Sequence, residues 1–584
     1  MGGIVVTALA PVSTLAGAVR SFEPHLQDSG EMVDVVFGEP TQYGTAYHAL
    51  CQAVLAEVGP EPERGAHADR AARGLDAALR HVEDPTLPAT LATFRRETGA
   101  VSRVNHRDFF WPPILKTYGI LRRLGLACAP DLEGRIRAVD PARSFRARPP
   151  SNWAMVWLSG EWLRMRAGLA PTTQEQFDAW LAPYFQGPVL LPLGLYQEPG
   201  LPNSYDLFTR YHMADVLCHG YEGAWRTEME LLLQTGLRRS LAVQLSDGSL
   251  ASAHRSTGQT WTVGAECAYF TLAGNWFRGR DPALAERAHA AAARAFASFR
   301  RWQRPGGVYS PVENLLPPVW RVGYEGYTAD GHYGNLALGF LAAAIAEGLA
   351  VPDGDPPARA TARHIEGAPT QRALCHRGPY SVQLNGQPAP HYDGFGLVDL
   401  TFGPGRLLQI ASSMRYLGAP DAFYNPGLAL RPGPGRTELR PVSQEPMDLL
   451  GPIEPGPGLA SLRLAARVRE GPDRYALAVD VEPDGVWVKE DTPGVAGHRT
   501  LLLPYPRDCG SGATTAVAVH REDGRAVVEL GLGTELVRVQ VDAEVESVLN
   551  LPYGFENRRG LGGLLRLDLA RICEEVRWRA AVVR

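Results

Sequence analysis

The sequence predicts an α+β protein in two parts, an N-terminal (α/α) toroid followed by a C-terminal antiparallel β-sandwich. From about residue 40 to 350, apolar residues recur at helical spacing, segment after segment, with short polar, Gly or Pro breaks. After about residue 370 the pattern becomes short alternating and β-branched runs between turn signals. The chain is also too long for one core: it has 584 residues, and single cores stop growing near ~250–300. The expected domains are residues 1–365 and 366–584, joined through the Pro-, Gly- and charge-rich stretch 351–369.

Helical periodicity is clearest over 44–59, 108–125, 152–168, 205–220, 223–245, 262–278, 283–303 and 328–350. Short connections make consecutive helices antiparallel neighbours, and a long run of such hairpins must stack as an open solenoid or close on itself. No fixed-period repeat is visible, which favours closure. In the second half, YSVQLNG, GLVDLTFG, RLLQIASSMRYL, RYALAVDVEPDGVWVKED, TAVAVHREDGRAVVELG, ELVRVQVD and GLLRLDLA read as strands, with hairpin turns at EPDG and REDG. Regularly spaced strands without intervening helices imply an antiparallel sandwich. The Pro/Gly-rich run 425–457 reads as a long surface loop.

A net charge of −5 supplies no broad basic field, which argues against nucleic acid or an anionic membrane surface as a partner. Only Lys116 and Lys489 are lysines among the 58 basic residues. GC-rich coding is the simple explanation, and bidentate carboxylate recognition by Arg the functional one. The seven cysteines show no C-x-x-C spacing and read as reduced structural thiols. Residues 4–19 are mildly apolar but lack the positive flank of a secretion signal, so a cytoplasmic location is expected, with export left open. There is no Walker loop, G-x-S-x-G elbow or strand–GxGxxG–helix unit, and no cofactor is expected.

Ten of the twelve Trp precede residue 370. Some must fill the helical core, as Trp153 and Trp157 do at i, i+4, but the flat indole also suits the apolar faces of pyranose rings. Four constellations could carry chemistry beside them. In PPSNWAMVW, Ser151 is an N-cap and Asn152 lies in the first helical turn, where its amide either shares the capping or binds a substrate carboxylate with help from the helix dipole. Glu161 and Arg164, at i, i+3, read as a salt bridge. Over 205–219, Tyr205, Phe208, His212, Asp215 and His219 fall on one stripe, with Tyr211 on the adjoining face; it is too polar for a core face and suggests the wall of a wet cavity. Tyr211 and His212 are proton-transfer candidates, and no metal is expected because HExxH-type spacing is missing.

The third constellation, SDGSLASAHRSTGQTW, presents His254, Arg255 and Trp261 in a polar segment, with Glu266 a secondary carboxylate in the next helix. The fourth crowds Tyr309, Glu313, Trp320, Arg321, Tyr324, Glu325, Tyr327, His332 and Tyr333 into twenty-five residues before an apolar helix, a density of hydroxyls and aromatics unlike a core. His391-Tyr392 stands near the domain junction.

Together, Asn152 in SNW and Tyr211-His212 in SYDLFTRYH, 59 residues further on, resemble polysaccharide lyases of the heparinase II/III and alginate-lyase type. Those enzymes pair a helical toroid with an antiparallel sandwich. The sequence departs from them in carrying Trp153 after Asn152 and in placing its DGS at Asp247–Ser249. The resemblance implies β-elimination on an acidic oligo- or polysaccharide: Asn152, Arg210 or Arg255 neutralises a uronate carboxylate, Tyr211 or His212 takes the C5 proton, and His254 or Tyr327 protonates the leaving oxygen. Trp261, Tyr205, Trp320, Tyr324, Glu325, His332 and Tyr333 are then expected to bind substrate. Two alternatives stand beside it. A glycoside hydrolase on the same toroid would draw on Asp206, Asp215, Glu161, Glu266, Glu313 and Glu325. A glycan-binding protein would need no catalytic group.

Overall fold

The computed structural model describes residues 6–583, leaving out 8, 42, 85, 88–90, 96–97, 104–105, 127–130, 193, 353, 355, 357–358, 389–391, 404–424, 431–439, 470–472, 494–496 and 523–524. The chain forms two compact units. The first comprises Met1–Leu241, Gln259–Pro311 and Tyr324–Pro356; the second comprises Ala242–Gly258, Val312–Gly323 and Pro357–Arg584.

Thirteen α-helices are described: α1 (Leu9–Phe22), α2 (Gly44–Val58), α3 (Arg64–Glu83), α4 (Trp111–Arg123), α5 (Leu132–Ala138), α6 (Pro141–Ser144), α7 (Asn152–Arg166), α8 (Gln174–Gln186), α9 (Asn203–Cys218), α10 (Arg226–Val243), α11 (Thr260–Phe277), α12 (Pro282–Arg300) and α13 (Asn335–Ala346). Six of them close a ring by pairwise packing, in the order α2, α4, α7, α9, α11, α13 and back to α2. Ring members touch neighbours on several sides, so α9, α11 and α13 are buried over almost their whole length, and the charged groups of α9 are buried with it. Amphipathic helices form a partial outer layer, α3 on α2 and α4, α12 on α11, and α1 on α13 and α2.

Glycines let the ring close tightly. A Cβ on Gly160 of α7 would meet the Pro112 nitrogen of α4 at 2.7 Å, and one on Gly264 of α11 would meet the Ala337 carbonyl of α13 at 2.6 Å. The ring helices run parallel. Rings at their N-terminal ends touch one another: Tyr43 stacks on Phe109 at 4.8 Å, Phe109 meets Trp153 at 5.7 Å, and Tyr43 meets Tyr333 at 6.2 Å. At the opposite end a cavity of about 600 Å3 is lined by Val58, Arg123, Ala167, His219 and Glu347, from the C-termini of α2, α4, α7, α9 and α13.

Three short ladders accompany the helices: β1 (Val6–Thr7) with β6 (Val351–Pro352), β2 (Leu91–Arg95) with β3 (Ala100–Arg103), and β4 (Leu190–Leu191) with β5 (Leu195–Tyr196). The second unit is antiparallel throughout. One sheet orders β10 (Gly396–Phe402), β9 (Tyr380–Asn385), β8 (Arg372–Arg377) and β7 (Ala362–Glu366). Another orders β12 (Arg440–Pro441), β11 (Gly427–Leu430), β18 (Gly497–Asp508), β23 (Gly560–Cys573) and β22 (Val545–Asn557). The largest runs β13 (Met447–Leu449), β15 (Ser461–Val468), β16 (Arg474–Glu482), β17 (Gly485–Asp491), β24 (Glu575–Val582), β21 (Glu535–Val541), β20 (Arg525–Leu532) and β19 (Ala516–Glu522), with β14 (Glu454–Pro455) beside β15. Alternation explains the core: Leu462, Leu464, Ala466 and Val468 point into it from β15, and Leu477, Val479 and Val481 from β16.

Some expectations need correcting. Helical packing begins before residue 40, because Leu15, Ala18, Val19 and Phe22 of α1 are buried. The run 425–457 is not one loop, since β11, β12, β13 and β14 lie within it and find ladder partners. The strand expected at RLLQIASSMRYL falls outside the described residues. The sequence boundary at 365 falls inside β7.

A buried charge network joins α9 to α10. Asp206 accepts from Arg210 Nη2 at 2.6 Å, Arg239 Nη1 at 2.8 Å and the Tyr196 amide at 2.7 Å. Asp206→Ala strands two buried guanidinium groups and is expected to cost about 3–5 kcal/mol in chemical denaturation. Arg20→Ala, which removes an exposed partner of Glu63, should leave stability almost unchanged.

Candidate functional site

The N-terminal mouth of the helical ring gathers polar and aromatic side chains. Ser151 caps α7 by accepting from the Ala154 amide at 3.1 Å, which sets Asn152 in the first turn. The Asn152 amide donates to Glu198 Oε2 at 2.5 Å, so a carboxylate already stands at this helix N-terminus, supplied by the chain itself. Trp153 meets His106 at 4.4 Å. Tyr205 meets Trp261 at 6.1 Å, and Tyr327 meets Tyr333 at 5.8 Å; Tyr205, Tyr327 and Tyr333 are half-buried and reach solvent. His332 is fully buried, with Nε2 3.0 Å from the Tyr327 carbonyl. Tyr43, His106, Phe109 and Glu198 belong to this mouth and were not singled out from the sequence. Only the short VNHRDFF segment before α4 hints at His106, whose imidazole is pushed down to about 4 by burial and by the charges of His332 and Arg146.

Deeper in the ring the predicted residues are core. Tyr211 and His212 lie six and seven residues beyond Tyr205, roughly 9–10 Å along the helix. Both are buried. Lys116 Nζ donates to the Tyr211 hydroxyl at 3.4 Å, and burial pushes that phenol up, which unsuits it as a base. His212 pairs with Ser159 Oγ at 2.8 Å, is held down to about 3 by burial, and leaves Nε2 without a hydrogen-bond partner among Phe208 and Phe340. His219, the last residue of the stripe, and Lys116 line the cavity at the other end of the ring. Arg210 is committed to Asp206, Ser240 and the Tyr269 hydroxyl. Trp261 is buried, its indole N–H donating to Gln259 at 2.7 Å. Tyr324 is buried between Arg304 and Asp330, and Glu325 accepts from Gln259 at 3.3 Å.

The expected carboxylate pair fares similarly. Glu161 is closed by Arg164, Asp206 by Arg210, Asp215 by Lys116 and Glu313 by Arg559, and Glu266 and Glu325 are buried as well. None presents an open carboxyl to water. Among the described residues, no group of three or more His, Cys, Asp or Glu is placed to hold a metal ion.

His254, Arg255 and Trp320 belong to the second unit. Trp320 ends a short turn, Pro318–Trp320, and is 48% exposed. The segment 246–258 is pinned at several points: the Ser252 amide donates to Asp399 at 2.8 Å, the His254 amide to Asp393 at 2.7 Å, and Gln383 Nε2 to the Ser252 carbonyl at 2.6 Å. His254 and Ser256 have φ of 60° and 63°, a left-handed backbone that costs non-glycine residues ~1–3 kcal/mol and persists only when the surroundings over-determine it. The His254 ring is half-buried, lies on Tyr392 at 4.4 Å and 28°, and leaves Nδ1 without a hydrogen-bond partner. Burial, with the charges of Arg372 and Arg558, pushes it down to about 4, so it is a neutral imidazole at physiological pH. Arg255 is half-buried beside it.

No protein-family model and no curated protein matches this sequence. Solved structures do match its fold. Two structures of the Streptomyces coelicolor A3 chondroitin AC lyase, one a mutant and one in complex with chondroitin sulphate, align with TM-scores of 0.53 and 0.51 at 12% identity, covering 98% of this chain and 79% of theirs. A Paenibacillus xanthan lyase aligns with a TM-score of 0.50 at 9% identity, over 98% of this chain and 56% of its own. The chain therefore has the toroid-plus-sandwich fold of polysaccharide lyases, as its sequence resemblance implied. No helix among the described residues is long and apolar enough to cross a membrane.

At the far end of the ring, His219 bridges Asp215 at 3.2 Å and Glu347 at 3.3 Å. Burial opposes its charge, but the two carboxylates outweigh burial and lift it to about 10. Because that lies above the unfolded value of about 6.5, the contribution is complete below that pH and is lost as pH rises through 10. Wild-type Tm should fall between pH 7 and 10.5 more steeply than that of His219→Gln, and parallel curves would show that the bridge contributes nothing.

Proposed function

We propose that the protein is a polysaccharide lyase that cleaves a uronic-acid-containing glycan by β-elimination. The observation that carries this reading is His254: a neutral imidazole whose Nδ1 is buried and without a hydrogen-bond partner, on a strained and pinned segment beside Arg255, within the field of Arg372 and Arg558. Elimination needs those two features together. A uronate carboxylate must be neutralised before its neighbouring C–H becomes acidic, and a base that is unprotonated at neutral pH must take the proton. Arg255 meets the carboxylate, and buried Arg372 and Arg558 add positive potential that also keeps His254 unprotonated. The Tyr392 hydroxyl, on the ring stacked with His254, protonates the departing glycosidic oxygen.

The likeness to chondroitin AC lyase and xanthan lyase supports the same reaction class and an acidic glycan as substrate. Tyr211 and His212 support the packing of the ring. The ion pairs that hold Glu161, Asp206, Asp215 and Glu313 weigh against hydrolysis.

Incubating the protein with chondroitin sulphate, xanthan and other uronate polymers should raise the ultraviolet absorbance of an unsaturated uronate. His254→Ala should lower that rate by about 10²–10⁴ with its melting curve retained. New reducing ends without the absorbance would mean hydrolysis. The kcat/KM of the wild type should fall about tenfold per pH unit below pH 4, where His254 takes up its proton, and stay level above it on the acid side.

A further inference from the structure

The cavity at the C-terminal end of the helical ring takes no part in the proposed chemistry. Its volume of about 600 Å3 falls within the ~300–1,000 Å3 of small-molecule pockets, and five of the six ring helices line it. Its floor is apolar: Leu50 of α2, Leu115 and Ile120 of α4 and Ile345 of α13 are all buried. Val58 and Ala167, at the ends of α2 and α7, stand at the rim.

Five charged side chains reach the cavity, and each is already answered. Arg123 closes Glu57 from Nε at 3.1 Å and Nη2 at 3.0 Å. His219, which is protonated at neutral pH, lies between Glu347 and Asp215, and Lys116 pairs with Asp215 at 2.7 Å. Lys116, Arg123 and His219 therefore meet Glu57, Glu347 and Asp215, three cations against three carboxylates. A lining that is neutral in sum gives a charged ligand nothing in exchange for its hydration. The partial negative charge of the helix ends further disfavours an anion. One donor remains. An ammonium has three N–H bonds, and Lys116 gives one to Asp215 and one to the Tyr211 hydroxyl at 3.4 Å. Neither acceptor lines the cavity, whereas Lys116 does, with its side chain 15% exposed, so its third N–H is available to an oxygen inside. Helix C-termini present carbonyls that a hydroxyl proton can reach in turn.

We infer that this cavity is a binding site for a neutral aliphatic molecule ending in a hydroxyl, whose chain packs against Leu50, Ile120 and Ile345 and whose oxygen accepts from Lys116. The site does not rest on the proposed lyase chemistry.

Calorimetry on the full chain at neutral pH, with 1-octanol, octanoate and octylammonium as probes of equal chain length, tests the inference. 1-Octanol should bind at one site at least about tenfold more tightly than either charged probe, and shortening it to 1-hexanol should weaken binding about fourfold per methylene. Ala167→Trp, which places an indole at the rim, should weaken 1-octanol about tenfold or more while the melting curve is retained. Should that variant not fold, crystals of the wild type soaked with 8-bromo-1-octanol locate the site: bromine between Leu50 and Ile345 supports it, and bromine only elsewhere overturns it. Equal or tighter binding of a charged probe, octanol binding that Ala167→Trp leaves unchanged, or no octanol binding at all also overturns it. Turnover of uronate polymers by Ala167→Trp should match the wild type, so this site and the lyase reading stand or fall separately.

Discussion

The close parallel packing of six helices governs the first unit. The ring helices are buried on nearly all sides, so most of the charged groups they carry find partners within the first unit. Gly160 and Gly264 mark where the backbones approach too closely for a side chain. Because the helices share one direction, their positive ends collect at one mouth and their negative ends at the other. The chain responds to both fields. Glu198 sits at the start of α7, and His219 closes the end of α9 with Lys116 nearby.

The same constraint decides which charged residues remain available for chemistry. In this low-polarity interior an unpaired charge is expensive, so Asp206 is bound to Arg210 and Arg239, and Asp215 to Lys116. A side chain committed in that way cannot also serve a substrate. What stays reactive lies on segments held by the scaffold without being part of it. The His254 segment is the clearest: its backbone is pinned to Asp393 and Asp399 and held in left-handed conformations, while its imidazole keeps a nitrogen unoccupied.

Much of the architecture could be read from periodicity. The segments expected at 44–59, 152–168, 205–220 and 283–303 became α2, α7, α9 and α12 to within two or three residues, because long apolar repeats with clear caps leave little choice. The EPDG turn likewise joins β16 to β17 with Glu482 opposite Gly485. The site was less legible. Tyr211 and His212 looked reactive because the stripe pattern shows which residues share a helix face but not what covers that face. Arg210 reads as a substrate contact until Asp206, one turn earlier, is found against it. His106 and Tyr43 reach the mouth through the closure of the ring, which pairs elements far apart in sequence and leaves at most the short VNHRDFF segment as a local signal. The strands within 425–457 were hidden by Pro and Gly, which mark turns but cannot exclude short edge strands between them.

The proposed chemistry depends most on His254 being a neutral base that answers to a carboxylate. An NMR titration of the full chain, with the His254 resonance assigned by its substitution, tests this directly. The imidazole should titrate near pH 4 in the free protein and shift upward when a uronate oligosaccharide binds, because the added carboxylate offsets the surrounding guanidinium charge. A titration near the ordinary value of about 6.5 that no uronate disturbs would contradict it.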